Sequence, residues 1–124
     1  MVILITGKAG AGKTHYADAL VRELNQEGKE AVKIDGDDLR FDTDNQEYTD
    51  AGRIRNLTYA AELAARYELR GVIAVLSFIA PKREWRDMMR DKWRQSRIVY
   101  IPGGYLWEDT EYEKPTDDEL NIRL

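Results

Sequence analysis

Four short, mostly apolar runs stand out in the pattern of hydrophobic and polar positions along the chain. They cover residues 2–6, 31–35, 72–77 and 97–101, and β-branched residues are common among them. Runs of this length, bounded by polar segments, are typical of strands buried on both faces of a parallel sheet. A weaker run at residues 120–124 predicts a fifth strand.

Between these runs, apolar residues recur at the three- and four-residue spacing of helices. The spacing predicts helices over residues 13–26, 52–70 and 82–94. Strands that alternate with helices in this way form parallel sheets covered by helices on both faces. The pattern therefore predicts an α/β fold, a three-layer α/β/α sandwich with a five-stranded parallel sheet, built by residues 1–124 as a single domain.

The segment between the first strand and the first helix, residues 7–14, reads GKAGAGKT. It fits the pattern G-x-x-x-x-G-K-[ST] in full, at the strand-to-helix position that a phosphate-binding loop requires. In such a loop, backbone N–H groups and the positive end of the helix dipole hold phosphate oxygens. Lys13 is expected to reach the β- and γ-phosphates, and the Thr14 hydroxyl to hold Mg²⁺.

The predicted fold is thus that of P-loop NTPases and kinases, with ATP as the expected nucleotide and Mg²⁺ as the expected metal ion. The residues expected to contact the nucleotide are Gly7, Ala9, Gly10, Ala11, Gly12, Lys13, Thr14 and His15.

Composition excludes several other classes of protein. The 124 residues carry a net charge of −4, so no electrostatic footprint for tight, non-specific nucleic-acid binding is expected. Cysteine is absent, which excludes disulfides and thiolate chemistry. No apolar stretch approaches the roughly 20 residues needed to span a membrane, and the N-terminus lacks a signal-peptide layout. We therefore expect a cytoplasmic protein without a membrane partner.

A second motif, DGDDLR at residues 35–40, follows the second predicted strand. Because parallel strands end at one edge of a sheet, these carboxylates should lie beside the phosphate loop. There, Asp35 or Asp37 can orient water on Mg²⁺ or accept the proton of an attacking hydroxyl. The alternative is an acidic turn that caps a short helix around Leu39. Arg40 is either a clamp for an anionic substrate or a surface cation.

Together with later segments, these motifs resemble adenylylsulfate kinase, a family of P-loop kinases. The later segments are RIRN at residues 53–56, IAPKREWR at residues 79–86, and YEKP at residues 112–115. The resemblance implies transfer of the γ-phosphate of ATP to the ribose 3′-hydroxyl of adenylylsulfate. The expected partner is therefore a small nucleotide acceptor similar to adenylylsulfate.

The resemblance also implies roles for individual residues. Asp37 would be the catalytic base or a metal-linked carboxylate, and Thr14 and Asp35 are the expected metal residues. Residues expected to take part in catalysis are Lys13, Asp35 and Asp37. Residues expected to bind the acceptor are Asp37, Arg40, Arg53, Asn56, Ile79, Ala80 and Pro81.

Two departures from the family pattern bear on the substrate. Ala80 replaces the serine usual in the loop after the third strand, and residues 102–107 lead directly to the tail where the family inserts a lid. A lid excludes water and brings cations to the transferred phosphoryl group. Tyr105 and Trp107, which lie where the lid would be, either stack on the adenine or pack locally. Candidates for the missing positive charge are Lys8, Lys82, Arg83, Arg86 and Lys114.

The sequence leaves three functions open. The motifs favour an adenylylsulfate kinase. A site without a lid also suits a kinase of another hydroxyl acceptor, such as a nucleoside, a nucleic-acid end or a modified base. The third function is a nucleotide-binding module without catalysis, in which the departures from the family pattern reflect lost chemistry.

Overall fold

The computed structural model describes residues 1–36, 50–105 and 111–120. Within these ranges the strands form one fully parallel sheet. They are β1 (Val2–Thr6), β2 (Ala31–Asp35), β3 (Ile73–Ser77) and β4 (Ser96–Tyr100). Their order in the sheet is β2-β3-β1-β4, so that β1 lies in the interior and leads directly into the phosphate loop.

The described helices cover both faces of this sheet. They are α1 (Lys13–Gln26), α2 (Asp50–Leu69), α3 (Arg83–Arg90) and α4 (Asp117–Leu120). The register aligns Ile34, Leu76, Leu4 and Ile98 in one row across the sheet, and this row packs beneath α2 and α3. Residues of the opposite parity form the second apolar cluster, together with side chains of α1. The predicted three-layer arrangement is therefore confirmed.

The prediction of a fifth strand is wrong for the described part of the chain, where the sheet has four strands. Leu120, the first residue of that predicted strand, is the last residue of α4, and residues 121–124 lie outside the described ranges. The backbone N–H groups of Glu119 and Leu120 donate to Thr116 O at 3.0 and 3.1 Å. Acidic residues in the first turn favour a helix here, because they complement the positive end of its dipole.

No helix in the ranges that the structure describes is long and apolar enough to cross a membrane.

A buried ion pair joins α3 to the segment at residues 111–120. Arg86 is 0% exposed, and its Nε and Nη2 donate to the two carboxylate oxygens of Glu119 at 2.8 and 3.2 Å. Its Nη1 donates to Ala80 O at 2.7 Å, and Nη2 also donates to Glu113 O at 2.8 Å. A buried charge is tolerated only when it is paired and hydrogen-bonded. The guanidinium therefore ties this segment to the loop after β3.

Removing one member of the Arg86–Glu119 pair should destabilise the domain strongly, because the other member would stay buried without its partner. In Arg86→Met the Glu119 carboxylate loses its main partner while still buried, so the free energy of unfolding should fall by about 3–5 kcal/mol. The double variant Arg86→Met/Glu119→Leu should regain part of that loss, because the buried carboxylate is gone. Urea unfolding of the wild type, both single variants and the double variant measures the coupling. Strictly additive losses would contradict it.

Candidate functional site

The phosphate loop connects β1 to α1, and its backbone path depends on glycine. Gly10 and Gly12 have φ angles of 73° and 99°, in the left-handed region that side chains disfavour. Gly12 is the residue that precedes the first turn of α1. The loop therefore ends at a helix N-terminus, where backbone N–H groups and the helix dipole favour an anion.

Lys13 and Thr14, the first two residues of α1, are tied to the loop and to the sheet. The Lys13 Nζ donates to Lys8 O at 2.7 Å, so the ammonium spans the loop. The Thr14 hydroxyl donates to Asp35 Oδ2 at 2.8 Å. Asp35 is the last residue of β2 and lies in the same row across the sheet as Ile5, whose side chain packs on the face covered by α1. The Asp35 side chain is therefore on the face from which it can reach α1.

The structure thus brings Thr14 and Asp35, the two residues expected at the metal, into direct contact. Hydroxyl and carboxylate oxygens are ligands that Mg²⁺ prefers. Thr14 and Asp35 supply one hydroxyl and one carboxylate, which fits an ion that takes its remaining ligands from phosphate oxygens and water, as Mg²⁺ does at nucleotide sites. Among the described residues, no group of three or more His, Cys, Asp or Glu side chains could hold a metal ion. His15, the next residue of α1, is exposed.

Thr6, at the end of β1, connects two loops at the same edge of the sheet. Its hydroxyl donates to Ile79 O at 2.5 Å, and the Tyr112 hydroxyl therefore acts as the donor in the 2.8 Å contact with Thr6 Oγ1. Burial raises the pKa of Tyr112 to about 12, so the phenol stays protonated at neutral pH. Sequence reasoning missed Thr6, although it is the polar residue that closes an otherwise apolar strand, and it noted Tyr112 only as part of the YEKP segment.

Residues 79–81, the predicted acceptor loop, are fixed from several sides. The backbone of Ala80 has a φ of 42°, which is uncommon for a residue with a side chain. Ala80 is 2% exposed. Pro81 O accepts the Glu113 N–H at 2.7 Å, next to the bond from Arg86 to Ala80 O. The loop is therefore held in one conformation by the neighbouring segment.

Arg53 and Asn56 lie in the first half of α2. Their spacing of three puts both side chains on the same side of the helix, where Asn56 is buried and Arg53 is half-buried. An ion pair of 3.5 Å between Lys82 and Asp50 joins the start of α2 to the end of the acceptor loop. Both predicted acceptor residues thus belong to a helix that begins beside that loop.

Asp37 and Arg40 lie outside the described residues, as does Trp107. The described chain reaches Gly36, which packs closely on the buried ring of Phe78. A Cβ at Gly36 would lie 3.2 Å from Phe78 Cδ1. Gly36 therefore lies directly beside the first residue of the loop that follows β3.

The interpretation of Arg86 as a replacement for the cations of a lid is wrong, because its guanidinium is buried against Glu119. Arg83 is paired with Asp118 at 2.8 Å, a contact that lowers the pKa of this carboxyl to about 2. The Lys114 ammonium lies 5.5 Å from the centre of the Tyr100 ring. These contacts join α3 to the segment at residues 111–120, and that segment to β4. Lys8, by contrast, is part of the phosphate loop itself.

Comparison with known proteins gives consistent matches. The sequence model of the family described as adenylylsulphate kinase matches residues 1–105. The adenylyl-sulfate kinase of Bacillus velezensis is 33% identical over 91 residues, which are 73% of this chain and 46% of that protein. Adenylyl-sulfate kinase 3 of Arabidopsis thaliana is 34% identical over 101 residues, which are 81% of this chain and 49% of that protein. The chain thus spans about half the length of these relatives.

Solved structures of APS kinases are similar to this chain as well. The APS kinase CysC of Mycobacterium tuberculosis in complex with AMPPNP and APS superposes with a TM-score of 0.76 at 27% identity, over 82% of this chain and 61% of that one. A variant of the same enzyme gives a TM-score of 0.80 at 26% identity, over 94% of this chain and 80% of that one. The predicted P-loop kinase fold is therefore confirmed. With a family match over residues 1–105, the chain belongs to the adenylylsulphate kinase family.

Proposed function

We propose that this chain transfers the γ-phosphate of ATP to the 3′-hydroxyl of adenylylsulfate or a closely similar nucleotide. The observation that carries the proposal is the 2.8 Å contact between Thr14 and Asp35 at the mouth of a complete phosphate loop. The two side chains that would bind a metal ion thus lie beside the backbone N–H groups that would bind phosphate. The relatives named adenylyl-sulfate kinase support this acceptor, as does the related structure that holds AMPPNP and APS.

In this proposal the loop positions the donor and neutralises its charge. Backbone N–H groups at the start of α1 bind phosphate oxygens, and the Lys13 ammonium exchanges Lys8 O for the β- and γ-phosphates. Thr14 and Asp35 would hold Mg²⁺, directly or through water, and the bound ion would supply positive charge at the transferred group. Since phosphoryl transfer needs little covalent chemistry from the protein, such positioning is the main contribution to rate.

The acceptor would lie against the loop at residues 79–81 and the first half of α2. Arg53 and Asn56 supply polar groups there, and Arg40 and Asp37 stay predictions from the sequence. Asp37 is the proposed base for the attacking hydroxyl. The cytoplasmic location inferred from the sequence also stays a prediction.

A kinase of another hydroxyl acceptor is the second candidate. It is favoured by the chain path after β4, where Tyr105 contacts the phosphate loop within five residues of the strand. A family member without a lid at this point leaves more room for a larger acceptor.

The Lys13→Ala variant should lose phosphoryl transfer by at least about 100-fold, because an ammonium that stabilises the transferred group is removed. Transfer is followed with ATP labelled in the γ-phosphate, offered with adenylylsulfate, nucleosides, oligonucleotides or no acceptor. Lys29→Ala is the matched control, since this lysine is 58% exposed and pairs only at the surface with Glu27. Unchanged transfer in Lys13→Ala would contradict the assignment.

The same assay separates the candidate functions for the wild type. Label on adenylylsulfate alone supports the proposal, and label on another acceptor supports the second candidate. Tight ATP binding without transfer to any acceptor would identify a binding module without catalysis.

The Asp35→Asn variant should raise the Mg²⁺ concentration needed for half-maximal transfer by about 10- to 100-fold, because the amide is a weaker metal ligand than the carboxylate. Titration of transfer with MgCl₂ at fixed ATP measures the shift. Asp18→Asn serves as the control, since Asp18 pairs with Lys33 at 2.7 Å away from the loop. A lower maximal rate with an unchanged Mg²⁺ dependence would overturn the metal role.

A further inference from the structure

The chain after β4 crosses the phosphate loop, and we name residues 101–105 the strap. The Tyr105 N–H donates to Ala9 O at 2.9 Å, and the two residues pair as an antiparallel bridge. A Cβ at Gly104 would lie only 2.5 Å from Ala9 O and 3.1 Å from Ala11 N. The strap therefore lies in backbone contact with the loop that is expected to hold phosphate.

The Tyr105 ring packs on the middle of this loop. A Cβ at Gly10 would lie 2.7 Å from Tyr105 Cε1 and 3.2 Å from Cδ1, so the ring occupies the space that a side chain at position 10 would need. Nevertheless Tyr105 is 58% exposed. One part of the ring is thus fixed on the loop, and the remainder faces solvent beside it.

A partly exposed aromatic ring on a fixed backbone is a preorganised surface for stacking. The hydrogen bond to Ala9 and the close fit of Gly104 hold the Tyr105 backbone in place. Little conformational freedom is then lost when a planar group binds to the ring. Every nucleobase has such a planar face.

The phosphate loop determines which planar group comes near. A triphosphate held by the loop backbone fixes where the ribose and base leave the loop, and the ring lies on the same loop. We propose that Tyr105 is a positioning residue for the donor nucleotide, in which its ring contacts the nucleoside part of ATP. This inference rests on the ATP binding of the proposed function, but not on the identity of the acceptor.

The experiment compares two ligands that share phosphates but differ in the nucleoside. Calorimetry gives the Kd of ATP and of inorganic triphosphate, each with Mg²⁺, for the wild type, Tyr105→Ala and Tyr105→Phe. Tyr105→Ala should weaken ATP by about 5- to 150-fold, the range of one base–aromatic stack. Its affinity for triphosphate should not change, and Tyr105→Phe should bind ATP like the wild type.

Two other results for Tyr105→Ala would overturn the proposal. Equal weakening of ATP and triphosphate in Tyr105→Ala would mean that the ring only supports the loop. Unchanged ATP affinity would mean that the ring does not contact the nucleotide. Tyr59→Ala is the matched control, because this tyrosine is 47% exposed on α2 and should affect neither ligand.

Failure of the proposed function gives a different result. If the wild type binds ATP but transfers no phosphate, the proposed kinase activity is overturned. The Kd values of ATP and triphosphate for the Tyr105 variants would still test the role of the ring. A wild type that binds neither ATP nor triphosphate would overturn both proposals. Lys13→Ala should weaken both ligands together, which separates an effect of the phosphate loop from an effect of the ring.

Discussion

The buried guanidinium of Arg86 is the contact on which the arrangement of this sheet edge depends. It satisfies the carboxylate of Glu119 and two backbone carbonyls at once, one in the loop after β3 and one in the segment after the strap. Tyr112, in that same segment, then reaches Thr6 at the end of β1. Because a buried charge requires all of its partners, these loops form one unit rather than separate flexible connections.

The phosphate loop is held from the other side by the strap. In kinases that cover the donor with a lid, the lid moves to admit and release nucleotide. Here the chain instead hydrogen-bonds to the loop within five residues of β4. A short connection of this kind costs less conformational entropy to order than a long lid does. Among the described residues, the phosphate loop is thus contacted by a segment with a defined backbone position.

Much of this fold could be predicted from the sequence, because strand runs and the GKAGAGKT segment are local signals. The position of Asp35 beside the phosphate loop followed from parallel topology, because parallel strands end at one edge of the sheet. The role of Arg86 could not be predicted, since a charge-rich helix indicates exposed cations and Glu119 lies far away in sequence. The prediction of a fifth strand was wrong for a similar reason. Glu119 is buried, and it belongs to the short helix α4.

The fit between Gly10 and the Tyr105 ring links two positions that are distant along the chain. A side chain at position 10 would force the aromatic ring away, and it would also strain the loop backbone, whose φ of 73° disfavours side chains. An alanine or serine in the middle of the loop would therefore require both a changed loop backbone and a retracted ring in the strap.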